Sequence, residues 1–205
     1  MIARLLLFFS LLVIIILNVS CAQASPLSAL EGLEILRKAF VGVDDFTAEI
    51  TQEKQLSLMK KKMVTNGEVR FKKPDTFYME LNAPYASRVL LKDNSLTLKL
   101  PKEGIRQKLA LPPEQGLARW FEFLDHPVKA LPAGFDIHAE RRGGTILLQI
   151  TPREKGVMKE FQLVFQQGGE LKRLIIEENN RDKTVIIFSR MKKNTGLSEK
   201  DFRLD

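Results

Sequence analysis

Residues 67–101 read GEVRFKKPDTFYMELNAPYASRVLLKDNSLTLKLP, and the fold turns on how this stretch is read. Taken in twos, it yields Val69 and Phe71, then Phe77, Met79 and Leu81, then Val89 and Leu91, then Leu96, Leu98 and Leu100. Polar or charged residues stand between them, among them Glu68, Arg70, Lys72, Glu80, Thr97 and Lys99. Apolar residues at every second position mark strands that are wet on one face and apolar on the other. The runs break at Lys73-Pro74-Asp75, Ala83-Pro84 and Lys92-Asp93-Asn94, where proline fixes φ and Asp or Asn favours a turn. Four antiparallel strands in a meander are expected, with an apolar face that something must cover.

Working outward, Ser28 and Glu31 have capping-box spacing, and Leu30, Leu33, Leu36 and Phe40 then form one apolar stripe. A helix is expected there, ending near Val41-Gly42. A long strand over 44–58 follows, with Phe46, Ala48 and Ile50 on one face. Lys60-Lys61-Lys62 beyond it reads as an exposed turn or edge, since lysines discourage edge-to-edge pairing. Downstream of the meander, 104–111 is a further short strand. Pro112 and Pro113, with Leu117, Trp120, Phe121 and Leu124, describe a short apolar helix that ends near His126-Pro127. Such a segment suits a lid better than a framework.

The second half returns to strands: 135–140 and 145–151 around a turn at 141–144, then Phe161, Leu163 and Phe165, then 171–177 and 184–191. The tail 198–204 is a candidate edge strand. Ten or eleven strands with two or three helices make an α+β domain, one large antiparallel sheet with helices on one face.

Residues 1–24 read as an export leader: Arg4, an apolar run over 5–17, and the small-x-small site Ala22-Gln23-Ala24. The run is shorter than the roughly 20 residues a spanning helix needs. An uncleaved anchor and lipidation at Cys21 are the alternatives, although Asn18 stands where a lipobox wants an apolar residue. Cleavage after Ala24 leaves residues 25–205 as one domain and removes the only cysteine. The formal net charge is +7. For an exported chain this favours anionic lipid or an acidic partner over nucleic acid.

Catalytic constellations are hard to find. The two histidines, His126 and His138, stand apart, and Glu177 and Glu178 point to opposite faces of a strand. There is no Gly-x-Ser-x-Gly elbow, phosphate loop or His-Glu-x-x-His pair, so neither an enzyme nor a metal or cofactor site is expected. From periodicity alone the alternating Phe, Leu and Met residues are core or cavity lining, and both readings stay open.

The order of motifs resembles the periplasmic outer-membrane lipoprotein carrier family, LolA. LEILRKAFVGVDDFTAEITQ (33–52) is similar to that family's opening helix and its Phe-x-Ala-x-Phe-x-Gln strand, with Ile50 in place of the second Phe. Gly67, Phe71-Lys72-Lys73-Pro74 and Phe77, followed by Pro84, Val89 and Asp93, resemble the Gly…Arg-Pro…Phe signature. Ile187-Phe188, Asn194 and Phe202 resemble its closing pattern. The resemblance implies an incomplete β-barrel closed by a helical lid over an apolar cavity. It implies a monomeric carrier of acylated lipoproteins between an inner-membrane ABC-type exporter and an outer-membrane receptor.

By the same resemblance, Phe71, Phe77, Met79, Leu81, Val89, Leu91, Leu96 and Leu98 line the cavity, and Trp120, Phe121 and Leu124 belong to the lid. Lys73 stands where the family has a lid-latching arginine, and it lacks the guanidinium's fixed fork of donors. Asp93-Asn94-Ser95-Leu96-Thr97 also replaces the family's Leu-Trp after the turn. These departures leave a carrier of another envelope lipid open. A lipoprotein-sensing module and a receptor tethered through Cys21 are the further alternatives.

Overall fold

The computed structural model describes residues 24–59, 62–111, 126–154 and 156–204. The expected leader over 1–24, Cys21, and the expected lid helix with Trp120, Phe121 and Leu124 lie outside these residues, except that Ala24 opens the first strand.

Twelve strands and one α-helix are found among the described residues. Strand β1 (Ala24–Leu27) precedes helix α1 (Ala29–Phe40). A first meander follows: β2 (Asp45–Gln55), β3 (Met63–Lys72), β4 (Thr76–Leu81), β5 (Ser87–Lys92), β6 (Ser95–Leu100) and β7 (Ile105–Ala110). The second meander comprises β8 (Phe135–Arg142), β9 (Thr145–Pro152), β10 (Met158–Gln166), β11 (Leu171–Glu178) and β12 (Lys183–Lys193). All pairings are antiparallel, in the order β1-β8-β9-β10-β11-β12-β2-β3-β4-β5-β6-β7. The two meanders are therefore wings of one open, curled sheet, joined where β12 lies against β2.

Helix α1 begins as its sequence predicts. The Glu31 N–H donates to the Ser28 hydroxyl at 3.2 Å, and the Ser28 N–H donates back to the Glu31 carboxylate at 2.9 Å. Leu33, Leu36 and Phe40 are buried against the sheet. Close approach fixes where the helix lies. A Cβ on Gly32 would stand 2.7 Å from both Ala139 of β8 and Leu148 of β9, and one on Gly169 would stand 1.9 Å from the Ala39 side chain. Lys193 anchors the other end. It donates to the Ala39 carbonyl at 2.7 Å, and its ammonium lies 4.8 Å from the Phe40 ring centroid. Burial lowers the pKa of that ammonium below the usual lysine range.

Three expectations need correction. The sheet has twelve strands, because 24–27 adds an edge strand to β8, with proline in a position that suits an edge. Strand β2 ends at Gln55 rather than Leu58, because the Ser57 N–H turns to the Asp182 carboxylate at 2.7 Å. The tail is not an edge strand but a 3-10 turn, Glu199–Phe202, lying against the outer face. Asn194 and Gly196 both take positive φ, which turns the chain out of β12 and away from the sheet edge.

Candidate functional site

Residues directly opposite one another on neighbouring strands share a face, so the register resolves the faces of the first wing. One row runs Phe46, Phe71, Phe77, Leu91, Leu96 and Leu109 from β2 to β7. The next runs Ala48, Val69, Met79, Val89, Leu98 and Gln107. Leu81 lies in a third, opposite Gly67. All eight residues expected to line a cavity therefore occupy one face, the face that carries α1.

Burial changes along these rows. Phe46, Ala48, Val69 and Phe71 are fully buried in one cluster with Leu33, Leu36 and Phe40. Phe77 and Met79 pack at its margin, while Val89, Leu91, Leu96 and Leu98 are half-buried and Leu109 is exposed. The reason is geometric. Helix α1 is held over β8 and β9, with Ala39 against Gly169 of the β10–β11 turn, and the apolar face continues well past it. Among the described residues this leaves a largely apolar surface, about four residues across each row, without charged side chains in those two rows.

Gly67 explains how the wing curls. A Cβ there would lie 2.0 Å from the Glu80 carbonyl oxygen, so only glycine lets β3 and β4 approach this closely. Lys73 follows β3, and its backbone N–H donates to the Asp44 carbonyl at 2.9 Å, which places it at the turn into β4. Its expected lid partners lie outside the described residues.

The opposite face is polar and braced by the tail. Arg70 lies 5.2 Å from the Tyr78 ring centroid and donates to the Asp201 carbonyl at 2.5 Å. Lys99 donates to the Leu204 carbonyl at 2.8 Å, Lys72 to the Leu197 carbonyl, and Lys92 pairs with Glu199. Tyr78, Phe202 and Leu204 form a small buried cluster beneath this strap. Burial, reinforced by a 2.8 Å bond to Glu80, pushes the Tyr78 hydroxyl up to about 12. This second core had only Phe202 as a sequence signal; a short motif with no periodicity does not disclose a 3-10 turn.

Two recesses have charged residues in their walls. One of about 690 Å³ is bounded by Glu49, Glu68, Glu80 and Arg190 among others; one of about 290 Å³ by Glu53, Arg173, Ile175 and Lys183 among others. Neither is lined by the eight apolar residues. Both histidines are exposed, and no three His, Cys, Asp or Glu side chains gather as metal ligands among the described residues.

Compared as a sequence, residues 42–205 match the profile of the outer membrane lipoprotein carrier protein LolA. The chain belongs to the LolA family. Among solved structures, an uncharacterized conserved protein from Thermus thermophilus superposes with a TM-score of 0.50 at 10% identity, over 85% of this chain and 91% of that one. A LolA superfamily protein from Nitrosomonas europaea is 14% identical, with a TM-score of 0.46 over 86% of this chain and 98% of that one. The Mycobacterium tuberculosis lipoprotein LppX is 12% identical, with a TM-score of 0.40 over 83% and 97%. At 10% identity the likeness to the Thermus protein concerns the fold alone. Against curated proteins the sequence finds no match. Among the described residues no helix is long and apolar enough to cross a membrane.

Proposed function

We propose that this LolA-family chain is a periplasmic carrier that holds the acyl chains of lipoproteins on the inner face of β3–β7 and moves them from the inner to the outer membrane. The observation that carries the reading is the apolar surface running from Phe77 through Leu91 and Leu96, and from Met79 through Val89 and Leu98, beyond the cover of α1. An acyl chain leaving a bilayer for water loses roughly 0.8 kcal/mol for each methylene exposed. A carrier must replace that environment and still let go, and a half-buried face does both: it offers contact along its length without enclosing the chain. Methionine at position 79 adapts to chains of different length. In this reading export follows cleavage near Ala24, an ABC-type exporter loads the carrier, and an outer-membrane receptor unloads it. Binding and release need no covalent chemistry, so no enzymatic activity is assigned.

A second reading keeps the chemistry and changes the cargo to another envelope lipid. It is favoured by Lys73 at the position of the family's latching arginine, since a single ammonium holds a lid less rigidly than a guanidinium fork. The two readings separate on purification from the native envelope, organic extraction and mass spectrometry. Acylated peptide in the extract supports the lipoprotein carrier, and free lipid alone supports the second reading. A protein that carries no lipid and binds no acyl probe overturns both.

A further inference from the structure

The two ends of the strands are built differently. At one end the links are short and polar, such as Asp93-Asn94 between β5 and β6 and Gly143-Gly144 between β8 and β9. At the other end lie the longer links β2–β3 (56–62), β4–β5 (82–86), β6–β7 (101–104) and β9–β10 (153–157), with the β11–β12 turn (179–182). Most of the large apolar side chains left in solvent gather at this second end: Leu58 is 98% exposed, Val157 70%, Met59 53% and Tyr85 49%. Val64 and Ile105, near the starts of β3 and β7, are exposed beside them, while the other end contributes Val41 and Leu109.

Single exposed apolar residues are ordinary. These are not single, because hydrogen bonds make one piece of three loops. The Ser57 N–H donates to the Asp182 carboxylate at 2.7 Å, and the Met59 N–H closes its turn on the Leu56 carbonyl at 2.9 Å. Asn180 holds Asp182 from both sides, accepting its N–H at 2.8 Å and donating to its carboxylate at 3.1 Å. Asn179 donates its N–H to the Val157 carbonyl at 2.9 Å and its amide to the Gly156 carbonyl at 2.6 Å. Leu58, Met59 and Val157 are thus presented together on a braced platform.

The sequence around the platform is basic. Segments 53–62, 153–159 and 177–183 carry nine Lys or Arg against five Asp or Glu. Glu53 is paired with Lys62, Glu177 with Lys159, and Arg153 with Asp136, while Arg181 and Lys183 make no ion pair among the described residues. A protein partner would need a socket shaped to a leucine that stands almost wholly clear of its own protein. A fluid bilayer needs no such socket, and acidic headgroups would complement the lysines and arginines.

We propose that this loop end is a docking surface for an anionic lipid bilayer. Leu58, Met59 and Val157 enter the headgroup layer, while Arg181 and Lys183 meet acidic headgroups. Neither half of the device anchors the chain alone: few methylenes are inserted, and each surface charge contributes modestly and is screened by salt. The docking is reversible, as a shuttling protein requires, but it does not depend on the inner face holding acyl chains.

The test is co-sedimentation of the exported chain with vesicles of phosphatidylethanolamine and phosphatidylglycerol, against vesicles of phosphatidylcholine alone. Binding is expected to the anionic vesicles and to fall as salt rises from about 0.1 M to about 0.5 M. Leu58→Ser with Met59→Ser should weaken it about tenfold, and Arg181→Gln with Lys183→Gln should remove much of the preference for anionic lipid. Circular dichroism should be unchanged, since none of these side chains is packed. Equal binding to both vesicle types, or undiminished binding by the Leu58/Met59 variant, overturns the proposal. Absence of vesicle binding also overturns it and assigns the loops to a protein partner. Acyl-probe uptake by the Leu58/Met59 variant is read in parallel and should not change, so failure here and failure of the carrier reading are distinguishable.

Discussion

Asp45 and Thr195 lie 150 positions apart in the chain, yet the Asp45 carboxylate accepts both the Thr195 backbone N–H at 2.6 Å and its hydroxyl at 2.8 Å. The same carboxylate accepts the N–H groups of Gly196 at 3.0 Å and Leu197 at 3.1 Å. One buried side chain at the start of β2 thus fixes the point where the tail leaves β12 and crosses the outer face. Burial alone would raise its pKa, but these bonds outweigh burial and hold the carboxyl below its usual range.

Replacing Asp45 with Asn should therefore release the tail. The variant loses charge-assisted bonds and sets an amide N–H₂ against backbone N–H groups, so the expected loss is about 2–3 kcal/mol in urea unfolding. The pH dependence has a definite sign. A carboxyl depressed in the folded state stabilises above its unfolded pKa of about 3.9, and that contribution is lost as pH falls through the lower folded value. Acidification from neutral pH into that window should destabilise the parent protein more steeply than Asp45→Asn. Parallel acid profiles would remove Asp45 from this role.

Two glycines separate backbone strain from crowding. Gly143 and Gly169 both have positive φ, +58° and +81°, but a Cβ at Gly143 meets nothing within 4 Å. At Gly169 it would stand 1.9 Å from the Ala39 Cβ. Gly143→Ala should cost about 1 kcal/mol from φ alone. Gly169→Ala should cost about 3 kcal/mol or more, because it also pushes α1 from the sheet. Thermal unfolding of the pair checks this, and equal losses would show that α1 yields freely.

The apolar alternation over 67–101 disclosed the inner face because a strand's period of two leaves each residue only one possible side, and all eight residues chosen in this way share that side. The Ser28–Glu31 box was equally legible, since capping is a local interaction. What stayed hidden is non-local. Nothing about ASPL at 24–27 indicates a strand until β8 offers an edge to pair with. Asp45 looks like any acid beside a turn until the tail returns to it. The loop platform was half visible in its lysines, but its apolar members are picked out only by exposure, which periodicity does not report.

Glu34 ties α1 to the segment that leads toward β8. Its carboxylate accepts Nε and Nη2 of Arg37, both at 2.7 Å, and the Val128 N–H at 3.2 Å. The Arg37 bonds first, and then the Val128 bond, hold its pKa down at about 2. The tether is therefore complete above the ordinary carboxyl range and is lost as pH falls through about 2. Glu34→Gln should speed hydrogen exchange at the Val128 amide about fivefold at neutral pH. Unchanged protection there would mean that the loop is held by its other contacts.

The inner face makes the sharpest claim about activity. Leu98 faces Val89 on β5 and Gln107 on β7, and it is half-buried, so it can be changed without opening the core formed by Phe71 and Leu36. Leu98→Lys places an ammonium in the middle of the apolar row. If bound acyl chains cross this row, about three methylenes lose their contact at roughly 0.8 kcal/mol each, which is about a fiftyfold loss of affinity. Stability should fall by only about 1 kcal/mol, since the lysine can extend toward solvent. Arg106→Gln, on the outer face of β7 opposite Lys99, serves as the control and should bind as the parent does. Titration with a fluorescent fatty-acyl probe measures both. A Leu98→Lys protein that binds the probe as the parent does would move the acyl site off this face. A loss shared equally by Arg106→Gln would show that the probe responds to charge rather than to the apolar row.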